Sequence, residues 1–144
     1  MVRTFLALIL ASLAFSTWGY IWYATVFDDV WQALIGVSEE ELIAMTVARG
    51  PIQDVFVILI SVPQAIAIYA ALKWVKARTF IDYMSVSLGL STLVVLPALG
   101  NATLFAGTPL GLLILDYGHF LLGYAGMALV FYILAPREKS ARSS

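Results

Sequence analysis

The sequence predicts an all-α fold, a four-helix bundle integral to a membrane. Composition is the first reason: of 144 residues, 62% are hydrophobic and only 12% charged. That is roughly half the charge of an average soluble domain, and a soluble surface this apolar would aggregate. The second reason is length. Four runs each reach the ~20 apolar residues that a helix needs to cross the hydrocarbon core. The third is punctuation, because glycine, proline and charged residues separate the runs.

The first run extends from about residue 4 to residue 26, interrupted only by Ser, Thr, Gly and aromatic residues. Arg3, FLALIL and Ser12-Leu13-Ala14 also have the outline of a cleavable signal peptide. Since the run continues well past Ala14, a spanning helix is expected. Trp18, Tyr20, Trp22 and Tyr23 stand where this helix leaves the bilayer, the place of an aromatic belt. Tyr23 is the exception, because it shares a face with Gly19 and points into the bundle.

Residues 27–51 form an acidic loop, with Asp28, Asp29, Glu39, Glu40 and Glu41 against Arg49. Ser38-Glu39-Glu40-Glu41 has the form of a capping box, so a helix starts at Glu39 and stops before Gly50-Pro51. Trp31, Leu34 and Ile35 share a helical face ending at Gly36, which suits a short interfacial helix. The acids read as a solvated cap over the bundle.

The second run covers about 52–75, the third about 83–105 and the fourth about 110–134. Pro63 and Pro97 are candidate kinks, each removing an amide and freeing the carbonyls of Leu59 and Leu93. Residues 1–136 thus form a single membrane domain, and 137–144 a short basic tail. With four spans, Arg3, the Lys73/Lys76/Arg78 cluster and Arg137/Lys139/Arg142 fall on one side, leaving Arg49 alone on the other. The excess of basic residues places both termini in the cytoplasm, with the acidic loop outside.

Lipid tolerates leucine and valine anywhere, so small and polar residues mark helix contacts. At 100° per residue, Ser12, Ser16, Gly19 and Tyr23 share a face of the first helix. Asp54, Ser61 and Ala65 share one on the second, with Gln64 at its edge; Ser85, Gly89, Thr92, Gly100 and Thr103 line the third. Asp116, His119, Gly123 and Gly126 line the fourth. Asp116 lies roughly 8 Å from the midplane at 1.5 Å per residue, with His119 deeper. A charge there is costly unless paired or hydrogen-bonded. The i, i+3 spacing lets the two side chains meet, and such a pair can relay a proton or lock the helix register. Tyr20, Tyr23 and Asn101 stand at matching depth, while Gly118 and Gly123 leave room for a backbone or a ligand.

The chain has no cysteine and one histidine, which excludes disulfides, thiolate catalysis and a cysteine zinc site. No cofactor or metal is implied, although a carboxylate cation site stays open. The net charge of −1 gives no field for nucleic acid. No nucleophile with a base and no phosphate-binding loop supports an enzyme.

Gly19-x-x-Trp22-Tyr23 followed by Phe27, Trp31 and Gly36, and Asn101, Leu104-Phe105, Leu110, Leu115-Asp116-x-Gly118-His119, resemble the bacterial domain-of-unknown-function 1761 family. The resemblance covers nearly the whole chain and implies a small four-helix membrane protein. It brings no established activity. Where that family carries a charge after the Phe of the third helix, this chain reads Ala106-Gly107-Thr108. The expected function is a structural or accessory component of the bacterial inner membrane. Its expected partners are the lipid bilayer and either further copies of itself or a larger membrane complex. The alternative is a small carrier or proton-linked binder built on Asp116 and His119.

Overall fold

The computed structural model describes residues 2–135, entirely as helices and their connections. Met1, Pro136 and the basic tail lie outside the described residues. α1 (Val2–Ile21) runs into a π-helical turn, Trp22–Val26; α2 (Asp28–Ile35) and α3 (Glu39–Arg49) form the long connection to α4 (Ile52–Trp74). α5 (Phe80–Leu90), a second π turn (Ser91–Val95) and α6 (Leu96–Ala106) make up one broken helix, and α7 (Leu110–Leu134) closes the chain. Four helical stretches are long and apolar enough to cross a membrane: Val2–Val26, Val55–Trp74, Phe80–Ala106 and Leu110–Leu134. Each lies within a helical turn of its expected bounds.

α7 is the hub. It packs along α1, α5 and α6, while α4 packs against α1 and α5. Ala7, Ala11, Ala65 and Ala128 are wholly buried, which allows these backbones to approach closely. Phe131, Met127 and Ile68 fill the space between them. Ser16 donates to Ser61 across the α1–α4 contact at 3.2 Å.

Two expected stripes are displaced. On the third span the buried positions are Tyr83, Ser87 and Ser91, not Ser85, Gly89, Thr92 and Gly100. A Cβ on Gly89 or Gly100 would meet nothing. The π turn at Ser91–Val95 inserts extra residues into the ladder, so no single 100° face runs the length of this helix. On α7 the packed face runs through Gly123, Tyr124, Met127, Ala128 and Phe131, and Gly126 faces outward. The two prolines also differ. α4 continues through Pro63 as one helix, whereas Pro97 follows directly on the π turn that divides α5 from α6.

The two short helices of the connection form where their sequence predicts them. Gly36 ends α2 with φ +68°, a left-handed cap that glycine adopts without a Cβ penalty. The apolar face of α2 is half-buried on the bundle itself: Leu34 seats against Gly111, and the Trp31 ring lies 5.8 Å from Tyr23. α3 begins with the full capping box, in which Ser38 Oγ accepts from the Glu41 amide while the Glu41 carboxylate accepts from Ser38. A second box, Thr79 with Asp82, starts α5 at Phe80, earlier than the apolar run alone suggested.

Those bonds favour the charged form of Glu41 and hold its carboxyl below the ordinary 4.5. A depressed pKa means that the cap contributes fully above about 4.5 and is lost as pH falls through the lower, folded-state value. Acidification below pH 4 and Ser38→Ala at neutral pH are therefore both expected to lower the protection of the amides in the first turn of α3, measured as exchange relative to the intrinsic rate at the same pH. Protection unchanged in both cases would show that the box does not hold this helix end.

Candidate functional site

The site forms where α1 gives way to its π turn. A π turn holds more residues than an α turn and so rotates the side chains that follow it. The Phe27 N–H closes it by donating a hydrogen bond to the Trp22 carbonyl at 2.9 Å. The first two residues of the turn, Trp22 and Tyr23, both reach α7. Opposite them, three glycines give rings a seat. A Cβ on Gly118 would lie 3.1 Å from the Trp22 ring, one on Gly123 2.6 Å from Phe15, and one on Gly19 3.2 Å from His119 Nε2. Two of these glycines are on α7 and receive rings from the first span, while Gly19 on α1 receives a ring from α7. The helices are interlocked in both directions.

Two hydrogen bonds fix the register of that interlock. Tyr23 Oη donates to Asp116 Oδ1 at 2.7 Å. Trp18 Nε1 donates to the backbone carbonyl of His119 at 3.1 Å. The His119 ring is enclosed by Phe15, Tyr23 and Phe120 at centroid distances of 4.9, 5.0 and 5.1 Å, with Trp22 at 6.5 Å. Both imidazole nitrogens are buried with no hydrogen-bond partner within the protein, and so is Trp22 Nε1. A neutral imidazole offers one donor and one acceptor, and the indole one further donor. The box therefore holds hydrogen-bonding capacity that the chain itself does not use, while Asp116 accepts from Tyr23.

Of the residues expected here, Asp116, His119, Tyr23, Gly19, Gly118 and Gly123 come together. Asp116 and His119 do not bond each other: the Tyr23 phenol takes the carboxyl, and the imidazole turns to the space above Gly19. Tyr20 does not join them, being 71% exposed. Asn101 is exposed on α6 and also stands outside the site. Trp22, assigned to the aromatic belt, is instead a buried member of the site. Gly118 opposite was the available signal, since a glycine facing an aromatic invites close approach. No three His, Asp or Glu residues among those described gather as a metal site would need.

The sequence pattern of the family described as "Protein of unknown function (DUF1761)" matches residues 6–132, nearly the full chain. The chain belongs to this family. The DUF1761 match runs from within the first span to within the fourth and includes the long connection and every residue of the site. No curated protein and no solved structure matches the chain.

Proposed function

We propose that this DUF1761 protein is a structural or accessory component of a bacterial cytoplasmic membrane, working in an assembly with further copies of itself or with other membrane subunits. The observation that carries this is the uneven use of its helices. In an apolar 18-residue stretch of each span, 33% of the residues are buried within the chain in the fourth but only 6% in the third. The first and fourth spans interlock. The third packs on the fourth along one side and leaves Leu93, Leu104, Phe105 and the amide of Asn101 exposed, and polar groups on membrane helices seek partners across helix contacts. The distribution of basic residues supports cytoplasmic termini and an external acidic loop.

A second reading rests on a separate observation, the unpartnered nitrogens of His119 and Trp22. In that reading the box holds a proton or a small polar guest, and the protein is a proton-linked binder.

Because the chain has no cysteine, single cysteines report cleanly on the assembly. Cysteine at Leu93 or Leu104, both 78% exposed on the third span, is expected to cross-link to a second copy or a heavier partner in native membranes. Cysteine at Phe5 on the first span serves as the comparison. Third-span cysteines that never cross-link, yet react freely with a lipid-phase maleimide, would contradict the assembly.

A further inference from the structure

The end of the bundle remote from α2 and α3 collects cations. α1 starts there and α4 ends there, with Thr4 Oγ1 and Tyr69 Oη 3.4 Å apart between them. Arg3 precedes Thr4, Lys73 stands in the last turn of α4, and Lys76 and Arg78 lie in the turn to α5. Among the described residues at this end, these four cations meet one acid, Asp82.

Local structure occupies that acid. The Asp82 carboxylate accepts from the amides of Arg78 at 2.9 Å and Thr79 at 2.8 Å, closing the box that starts α5. The side chains of Arg3, Lys76 and Arg78 are exposed and pair with no acid of the described residues.

The turn that carries Lys76 and Arg78 is held on both sides. The Ala77 N–H donates to the Leu72 carbonyl at 3.0 Å and the Lys76 N–H to that of Lys73 at 3.2 Å. This is a Schellman motif, with Lys76 at φ +56° in the left-handed position that glycine usually takes. Beyond it, the Phe80 ring meets Tyr132 of α7 edge-on at 5.4 Å. The cations thus stand on a fixed frame. Trp74 closes the apolar span Val55–Trp74 and is 86% exposed, which sets the turn at headgroup level, where indole rings favour the boundary between hydrocarbon and water.

We infer that the turn at residues 73–79 seats the headgroup of an anionic phospholipid, with Lys76 and Arg78 on its phosphate and Trp74 against its first acyl carbons. Charge complementarity selects this occupant. A headgroup with a net negative charge supplies the counter-charge that the chain does not, whereas a zwitterionic one brings its own ammonium to the same place. Each Lys or Arg near an anionic membrane surface is worth ~1 kcal/mol, and a turn already fixed loses little freedom on binding. The seat belongs to one copy and works on either side of a membrane, so it is independent of the assembly reading.

The test uses the full-length protein in phosphatidylcholine vesicles. Because the chain has no cysteine, Val75→Cys takes a bimane label at the turn, and Leu110→Cys takes one at the other end of the bundle. Phosphatidylglycerol or phosphatidylcholine, each spin-labelled near its headgroup, is titrated into both leaflets, and the mole fraction that half-quenches each label is read. At Val75, phosphatidylglycerol is expected to quench at a mole fraction at least about fivefold lower than phosphatidylcholine, the worth of one cation. At Leu110 no preference for it is expected. Lys76→Asn with Arg78→Gln is expected to bring the two lipids to parity at Val75. Asparagine accepts the left-handed backbone and both side chains are exposed, so this variant retains the fold. Equal quenching by the two lipids at Val75, the same preference at Leu110, or a double variant that keeps the wild-type preference would each overturn the proposal.

Discussion

Gly123→Ala is expected to destabilise the protein by ~1–3 kcal/mol, the usual cost of forcing a methyl into a packed core, whereas Gly126→Ala is expected to be neutral or slightly stabilising. The two glycines are three residues apart on the same helix, and their surroundings decide the difference. A Cβ on Gly123 would come within 2.6 Å of two Phe15 ring atoms and 3.2 Å of Trp18 Cδ1. Phe15 cannot slip aside cheaply. It is 7% exposed, and its ring is held among His119, Phe120 and Tyr124 at 4.9, 5.7 and 5.9 Å. A Cβ on Gly126 would meet nothing, and alanine is the better helix former by about 0.5–1 kcal/mol. Unfolding of the detergent-solubilised protein by SDS, followed by circular dichroism, measures both. Equal midpoints for the two variants would mean that the Phe15–Gly123 seat is not part of the working core.

The second large effect belongs to the Tyr23–Asp116 bond. Tyr23→Phe keeps the ring and removes the hydroxyl, which leaves the Asp116 carboxyl without its 2.7 Å donor. Hydrogen bonds between membrane helices are worth ~1–2 kcal/mol, and a stranded buried partner adds its own desolvation penalty. A loss of about 2 kcal/mol is expected for Tyr23→Phe. Asp116→Asn keeps an acceptor for the phenol and should cost less. The double variant Tyr23→Phe/Asp116→Leu removes both ends of the bond and should recover part of the loss, because nothing polar is then stranded. The same SDS titration completes the cycle. Strictly additive losses would show that the two side chains do not depend on one another, and that the register of the first and fourth spans is set elsewhere.

The parts of this protein that could be read in advance are those with strong local causes. The spans follow from run length, and the helix over Glu39–Arg49 follows from the Ser38/Glu41 box and Gly50. Tyr23 was found because it continues the Gly19 face of α1, and the Phe15 and Trp22 seats sit over glycines, Gly123 and Gly118, that the pattern had marked. Part of what failed did so for one physical reason. A projection at 100° per residue assumes an unbroken α-helical phase, and two π turns break it. Tyr23 stays on the Gly19 face into the turn at Trp22–Val26, which also holds the buried Trp22, while Tyr20, still on α1, is exposed. The turn at Ser91–Val95 separates Ser87 and Ser91 from the small residues beyond it, so Gly89 and Gly100 seat no neighbour, while Thr92 of the same expected stripe shares a 2.9 Å hydrogen bond with Tyr117 on α7. No propensity in WYATV or STLVV announces such a turn, although Pro97 after the second is a local cause of a broken ladder. The Asp116–His119 contact failed differently. Residues on one helix face can meet, but a phenol from another helix is the better partner for a carboxyl than an imidazole drawn toward a glycine.

In the proposed assembly the interlocked first and fourth spans present the third to a partner. Native mass spectrometry of the untagged protein, released in mild detergent from its own membrane, tests this most directly. The expected result is a defined multiple of the 15.7 kDa chain, or that chain in fixed ratio with other membrane subunits. A bare 15.7 kDa monomer under conditions that preserve its helicity would contradict it.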